Sequence, residues 1–247
     1  MFQTMFLTLY SLLIWVGICL FTLFYTLSIL IVGAITGPMD PKRFIPHSMA
    51  NFWAKWIVAM NPFWRVKVQR NIQLDPNRAY ILVSNHQSIA DVVAIGHLGY
   101  QFKWISKASV FNIFVFGWAM KMAGYIPLIR GDKESIIHCI EQAKSWLQRG
   151  VSVSFMPEGT RSSDGTVIPF KSGAFRLSKE MGVSIVPIAI HGSGDAIPKG
   201  SWRFEGPVNI HVYVADPLDP LKFESVDALK EVARQKIIEN LSRLERL

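Results

Sequence analysis

The chain runs from residue 1 to residue 39 without one Asp, Glu, Lys or Arg, and from Phe2 through Ile35 it is mostly Leu, Ile, Phe, Val and Thr. A run of this kind is suited to hydrocarbon rather than water. A secretory leader has a basic start, a short apolar stretch and a small-x-small cleavage site. Here the start carries no cation and the run is far longer, so cleavage is not expected. As one straight helix, residues 2–36 would extend about 50 Å, well beyond a hydrocarbon core of roughly 30 Å. The helix must therefore tilt, bend or be partly covered by protein, and Gly37-Pro38 ends it.

The flank that follows is basic. Residues 41–74 hold Lys42, Arg43, Lys55, Arg65, Lys67 and Arg70 with no acid, which puts the rest of the chain on the cytoplasmic face of the inner (cell) membrane. Phe52, Trp53, Trp56, Phe63 and Trp64 bracket Lys55, the composition of a helix lying in the headgroup layer; the alternative is a core helix that packs with Trp. Hydrophobic residues make up 50% of the chain and its net charge is +8, which excludes a disordered chain and fits a partner surface that is anionic. The apolar start favours a membrane over nucleic acid. Cys19 and Cys139 show no metal-ligand spacing, and a reduced compartment without a disulfide is the simplest expectation. The chain divides into residues 1–62, a membrane helix followed by an interfacial aromatic and basic helix, and residues 63–247, an α/β domain.

That second part alternates strand and helix. Strands are expected at 64–69, 80–84, 102–106, 125–129, 151–156, 184–190 and 208–214. Helices are expected at 89–98, 111–122, 133–149, 172–181 and 227–244. The order specifies an α/β fold, a mostly parallel central sheet flanked by helices, with its ligand site beyond the carboxyl ends of the strands. The residues at those ends are Asn85-His86-Gln87-Ser88 with Asp91, then Arg130, then Pro157-Glu158-Gly159-Thr160-Arg161, then His191.

His86 and Asp91 cannot share one helical face, because five residues differ by about 140° in direction. With His86 in the turn and Asp91 in the first helical turn, the carboxylate can fix the ring tautomer and leave the other nitrogen to take a proton from a hydroxyl. A cap and a loop histidine are the bland alternative. No Gly-x-Ser-x-Gly elbow supplies a protein nucleophile, so direct attack by a substrate alcohol remains. In the second constellation Pro157 ends a strand, Gly159 allows close backbone approach, and Arg161 offers a planar fork for phosphate. Lys171 adds a cation where Ser172-Gly173 open a helix.

These blocks, together with Pro169–Phe175 and Ile185–Ile188, resemble in order and spacing the motifs of the 1-acylglycerol-3-phosphate acyltransferase family over roughly residues 64–215. In Gly124–Arg130, Pro127 and Ile129 depart from the usual pattern while Arg130 is retained; Met156 also stands where Phe is usual. The resemblance implies transfer of a fatty acyl group from a thioester, on coenzyme A or acyl carrier protein, to the 2-hydroxyl of lysophosphatidic acid, giving phosphatidic acid. No other cofactor and no metal are expected. His86 would be the general base and Asp91 its partner. Arg130, Arg161 and Lys171 would hold the phosphate, with Glu158, Gly159 and Thr160 shaping that subsite. Another acceptor, such as glycerol 3-phosphate or a different lysophospholipid, and a non-catalytic lipid-binding protein are the rival readings. Residues 111–118 are a candidate tunnel wall or membrane-dipping helix, or else an ordinary core helix.

Overall fold

The computed structural model describes all residues except 1, 163, 199, 205 and 247, with the side chains of 2–4 also left aside. The uncharged N-terminal run is a single helix, α1 (Phe2–Thr36), closed by the Gly37 amide on the Gly33 carbonyl at 2.9 Å. A second helix, α2 (Phe44–Met60), folds back along it. Its first amides, those of Phe44 and Ile45, are both held by the Asp40 carboxylate at 2.8 Å, which stands in for a missing side-chain cap.

Strand β1 (Trp64–Arg70) follows, then β2 (Ile81–Ser84), α3 (Ala90–Ile95), β3 (Phe102–Lys107), α4 (Phe116–Met122), β4 (Ile126–Leu128) and α5 (Lys133–Gln148). The chain continues through β5 (Ser152–Phe155), α6 (Gly173–Met181), β6 (Ile185–His191), the one-turn α7 (Ser193–Ala196), β7 (Val208–Val214) and α8 (Val226–Leu244). Among the described residues the strands form a seven-stranded sheet in the order β1-β7-β6-β2-β5-β3-β4. The five strands from β6 to β4 are mutually parallel. The β7 strand runs antiparallel to β6, and β1 runs parallel to β7. Strands β2 and β6 are near-continuous buried runs, as expected where both faces of a parallel sheet are covered.

One face carries Leu82, Val186, Ile188 and Ile190 against Ala54 and Ile57 of α2 and Val93 and Ala94 of α3. The other carries Ile81, Val83 and Ile185 against Ala143 of α5, Phe175 of α6 and Leu229, Ala233 and Ile237 of α8. The fold class expected from the alternating elements is the one observed, and the helices and strands fall close to their expected positions.

Two local expectations change. The helix expected over 111–122 is broken. Val115 takes φ 61°, with the Phe116 amide turned onto the Phe114 carbonyl at 2.7 Å, so that Phe111 enters the core and Phe114 points out, 75% exposed. A Cβ on Gly117 would lie 2.0 Å from the Phe111 carbonyl oxygen, so Gly117 marks a close approach of backbone to backbone. Of the aromatics expected at a lipid boundary, Phe52 and Trp56 are exposed, whereas Trp64 is buried at the start of β1 against Phe204.

Helix α1 does not stand away from the domain. Tyr10 donates to Asn61 Oδ1 at 2.7 Å, Ser11 Oγ accepts the Phe204 amide at 2.9 Å, and the Trp15 indole donates to the Trp202 carbonyl at 2.6 Å. Farther along, Trp53 of α2 donates to Thr22 at 3.1 Å, and α1 packs on α2 and α4. The opposite face of α1 is exposed and apolar, including Leu13, Leu20, Phe24, Ile31 and Ile35.

Candidate active site

The site is assembled where β2 ends. Asn85 follows the strand, and its side chain binds the neighbouring strand at two points: Nδ2 donates to the Ile190 carbonyl at 2.9 Å and Oδ1 accepts the Ile190 amide at 2.8 Å. The asparagine thereby imitates one more rung of the β2–β6 ladder while its backbone turns away, and it delivers His86 to the sheet edge.

His86 Nδ1 lies 2.7 Å from Asp91 Oδ2, as the turn-and-first-turn geometry anticipates. The same oxygen accepts the amides of Gln87 at 2.8 Å and Ser88 at 3.0 Å. Asp91 is fully buried, while the His86 side chain remains 13% exposed. An ionised carboxylate only accepts, so this contact places the proton on Nδ1 and leaves the lone pair on Nε2. Nε2 has no hydrogen-bond partner among the described residues and is available to take a proton from a ligand hydroxyl.

Glu158 is buried behind the histidine. Its Oε1 accepts the His86 amide at 2.8 Å and its Oε2 accepts the Ile168 amide at 3.2 Å. Burial pushes its carboxyl up to about 7, against the opposing pull of those two amides. The carboxylate ties two loops together and faces backbone, not the open edge. Two further bonds join the same segments, from the Ser162 amide to the His86 carbonyl at 2.9 Å and from the Lys171 amide to the Pro157 carbonyl at 2.9 Å.

The cations are arranged unevenly. Gly159, at φ 70°, lies beneath the Lys171 side chain; a Cβ there would be 2.9 Å from Lys171 Cε and 3.0 Å from Nζ. The Lys171 amine is therefore folded over the 157–161 turn. Thr160 is exposed in that turn, and Arg161 is half-buried one residue before the Ser162 amide that binds His86. Arg130 is exposed beyond β4, on the same edge of the sheet but three strands from β2, about 14 Å at a strand spacing of about 4.8 Å. His86, Asp91, Glu158, Gly159 and Lys171 are thus brought together, with Arg130 set apart toward the edge strand.

His191 pairs with His211 across β6 and β7 and does not join His86. Two residues escaped the sequence reading in these roles. The two-point bridge of Asn85 had a signal, an amide side chain at the end of a buried strand. Arg234 of α8, which donates to the Val167 carbonyl at 2.8 Å behind Glu158, had none, because it lies far along the chain in an ordinary charged helix.

Comparison with known proteins gives the family. The 1-acyl-sn-glycerol-3-phosphate acyltransferase LPAT1 of Arabidopsis thaliana chloroplasts is 38% identical over 205 residues, covering 82% of this chain and 56% of the relative. The alpha 1-acyl-sn-glycerol-3-phosphate acyltransferase of Homo sapiens is 33% identical over 179 residues, covering 70% and 62%. The chain therefore spans a little over half the length of such curated relatives. Among solved structures, the 1-acyl-sn-glycerophosphate acyltransferase PlsC of Thermotoga maritima superposes with a TM-score of 0.83 over 98% of each chain at 24% identity, which establishes a common fold. A model of the acyltransferase family matches residues 65–191, more than half the sequence and the stretch that contains the His86, Asp91 and Glu158 contacts, and the chain belongs to that acyltransferase family.

Proposed function

We propose that the protein transfers a fatty acyl group from an acyl thioester, on coenzyme A or acyl carrier protein, to the 2-hydroxyl of lysophosphatidic acid, giving phosphatidic acid. The observation that carries this reading is the 2.7 Å contact of His86 Nδ1 with buried Asp91, which leaves Nε2 without a partner among the described residues. The names of the relatives support the acceptor, since both the plant and the human proteins are called 1-acyl-sn-glycerol-3-phosphate acyltransferases.

In this reading His86 Nε2 removes the acceptor's hydroxyl proton as its oxygen attacks the thioester carbonyl carbon, and Asp91 stabilises the imidazolium formed. Collapse of the tetrahedral adduct breaks the C–S bond. The departing thiolate takes the proton from His86, which returns the ring to its starting state. A thiol of pKa near 8.5 leaves far more readily than an alkoxide, which drives collapse toward the ester. Lys171 and Arg161 hold the phosphate as charge-assisted donors, Arg130, farther along the same sheet edge, adds positive potential that draws the anion in, and Glu158, Gly159 and Thr160 shape that subsite.

The exposed face of α1 and the exposed Phe52, Trp56, Phe114 and Trp118 enter the lipid that holds the acceptor, with Lys42, Lys55 and Lys121 toward anionic headgroups on the cytoplasmic face of the cell membrane. The test uses protein purified in detergent, lysophosphatidic acid, and acyl-coenzyme A and acyl-carrier-protein donors in parallel, with glycerol 3-phosphate and a neutral lysophospholipid as competing acceptors. Phosphatidic acid formed by the native protein and lost in a folded His86→Ala variant is the expected result. Equal turnover in that variant, or preference for another acceptor, overturns the reading.

A further inference from the structure

We propose that Arg234, on the C-terminal helix α8, is a positioning residue that fixes His86 through the 162–168 loop and Glu158. The inference rests on the acyl-transfer reading of His86 and adds to it a contact from outside the 65–191 segment. The chain of bonds is continuous. Arg234 Nη2 donates to the Val167 carbonyl at 2.8 Å; the next amide, that of Ile168, donates to Glu158 Oε2 at 3.2 Å; and Glu158 Oε1 accepts the His86 amide at 2.8 Å. The same loop meets the histidine segment twice more, at the Ser162 amide to the His86 carbonyl and at Gln87 Nε2 to the Gly165 carbonyl, 3.1 Å. The 162–168 loop is therefore the wall against which residues 86 and 87 rest, and α8 braces it from behind.

The guanidinium is well placed for this. Its neighbour Ala233 is fully buried against the sheet, so the helix cannot shift without disturbing the core, and Arg234 Nε is itself buried with no partner among the described residues. A surface ion pair would not require such burial. Glu231, 3.3 Å from Nη1 and largely exposed, is a minor partner.

Electrostatics tie the same two residues together. The charged groups that bear on Glu158 are Asp91 from α3, which opposes its ionisation, and Arg234 from α8, which favours it. Around them stand His86, Arg161, Lys171 over Gly159, and Asp164, whose carboxylate is occupied by Ser162 and Thr166. Removing the Arg234 charge raises the Glu158 carboxyl further. A carboxyl that ionises less readily is a weaker acceptor for the His86 and Ile168 amides, and the His86 backbone is held less firmly.

The test compares Arg234→Gln, Arg234→Ala and Arg234→Lys in the full chain, with Lys230→Ala on the same helix as a control. Backbone amide exchange of the segments containing His86 and Ile168 is read by mass spectrometry, which needs no turnover. Faster exchange in both segments is expected for Gln and Ala, with Lys intermediate and Lys230→Ala like the native protein. In acyl transfer, kcat falls about tenfold with KM within about twofold, because a displaced base costs rate and not binding. The acid limb of the kcat profile moves to higher pH in Gln and Ala and less in Lys. Unchanged exchange around His86, or a lower kcat with an unmoved acid limb, overturns the proposal. If the native protein transfers no acyl group the reading of His86 fails, yet the exchange result still decides the role of Arg234.

Discussion

Asn85 and Ile190 are joined by two hydrogen bonds through the asparagine side chain, one given and one received, at 2.9 and 2.8 Å. Both residues are buried, so neither Ile190 group has water to replace its partner. Asn85→Ala should destabilise the protein by about 1–3 kcal/mol for each group left unsatisfied. Chemical denaturation in detergent reads the loss. Asn85→Asp should also fail, since a carboxylate cannot donate to the Ile190 carbonyl.

Asp91→Asn separates charge from geometry. One oxygen of Asp91 accepts three donors while the other is buried without a partner, so the amide nitrogen can take the empty place and the ring contact survives. What disappears is the negative charge that stabilises an imidazolium. Turnover should fall by about 10²–10⁴-fold with the fold retained, as checked by kcat alongside thermal unfolding.

Glu158 gives a pH dependence of stability. Its carboxyl rises from its ordinary 4.5 to about 7 on folding, so the folded chain holds this proton more tightly than the unfolded one. The stabilisation linked to that proton is full below pH 4.5 and is lost as pH climbs through about 7. The stability of the native protein measured against Glu158→Gln should therefore decline between about pH 5 and about pH 8 and level off above. A constant difference across that range would contradict a raised carboxyl.

Gly159→Ala should act on acceptor binding. The new methyl would meet the Lys171 stem at 2.9 Å, and φ 70° is costly for a side-chain-bearing residue, so the amine is pushed off the turn. KM for a phosphate-bearing acceptor should rise about tenfold, the worth of one charge-assisted hydrogen bond, and Lys171→Ala should match it. Initial-rate kinetics with varied acceptor provide the check.

Phe24, 69% exposed on the outer face of α1, packs on nothing that would make its loss unfold the domain. Phe24→Asp should leave thermal stability within about 0.5 kcal/mol and weaken binding to anionic vesicles, since a charge entering hydrocarbon costs about 2.5–3.5 kcal/mol on insertion scales. Vesicle flotation measures it.

The sequence made the alternation of strands and helices readable because each buried strand is an apolar run and each helix has a periodic face. The His86–Asp91 contact was legible for a different reason, a spacing that only a turn followed by a helix can bring together. What stayed hidden was set by tertiary packing. Nothing in 64–70 or 208–214 announces that β1 and β7 run against the other strands. The φ 61° turn at Val115 contradicts the stiffness of a β-branched side chain, and is held by the burial of Phe111 and Val115. Trp64 carries the composition of a boundary residue yet packs edge-on against Phe204, from a loop well over a hundred residues away. Glu158 was legible as a residue at the end of a strand near His86, but its aim at two backbone amides depended on where Ile168 falls.

The bonds from α1 to Asn61, Trp202 and Phe204 near its start, with its packing on α4 farther along, leave it no pivot. An anchor on a flexible tether would let the enzyme roll and sample every orientation above a bilayer. A strut fastened along its length would, in the proposed membrane-bound state, transmit depth and tilt directly, and covalent length and packing would then set the height of the imidazole above the lipid plane.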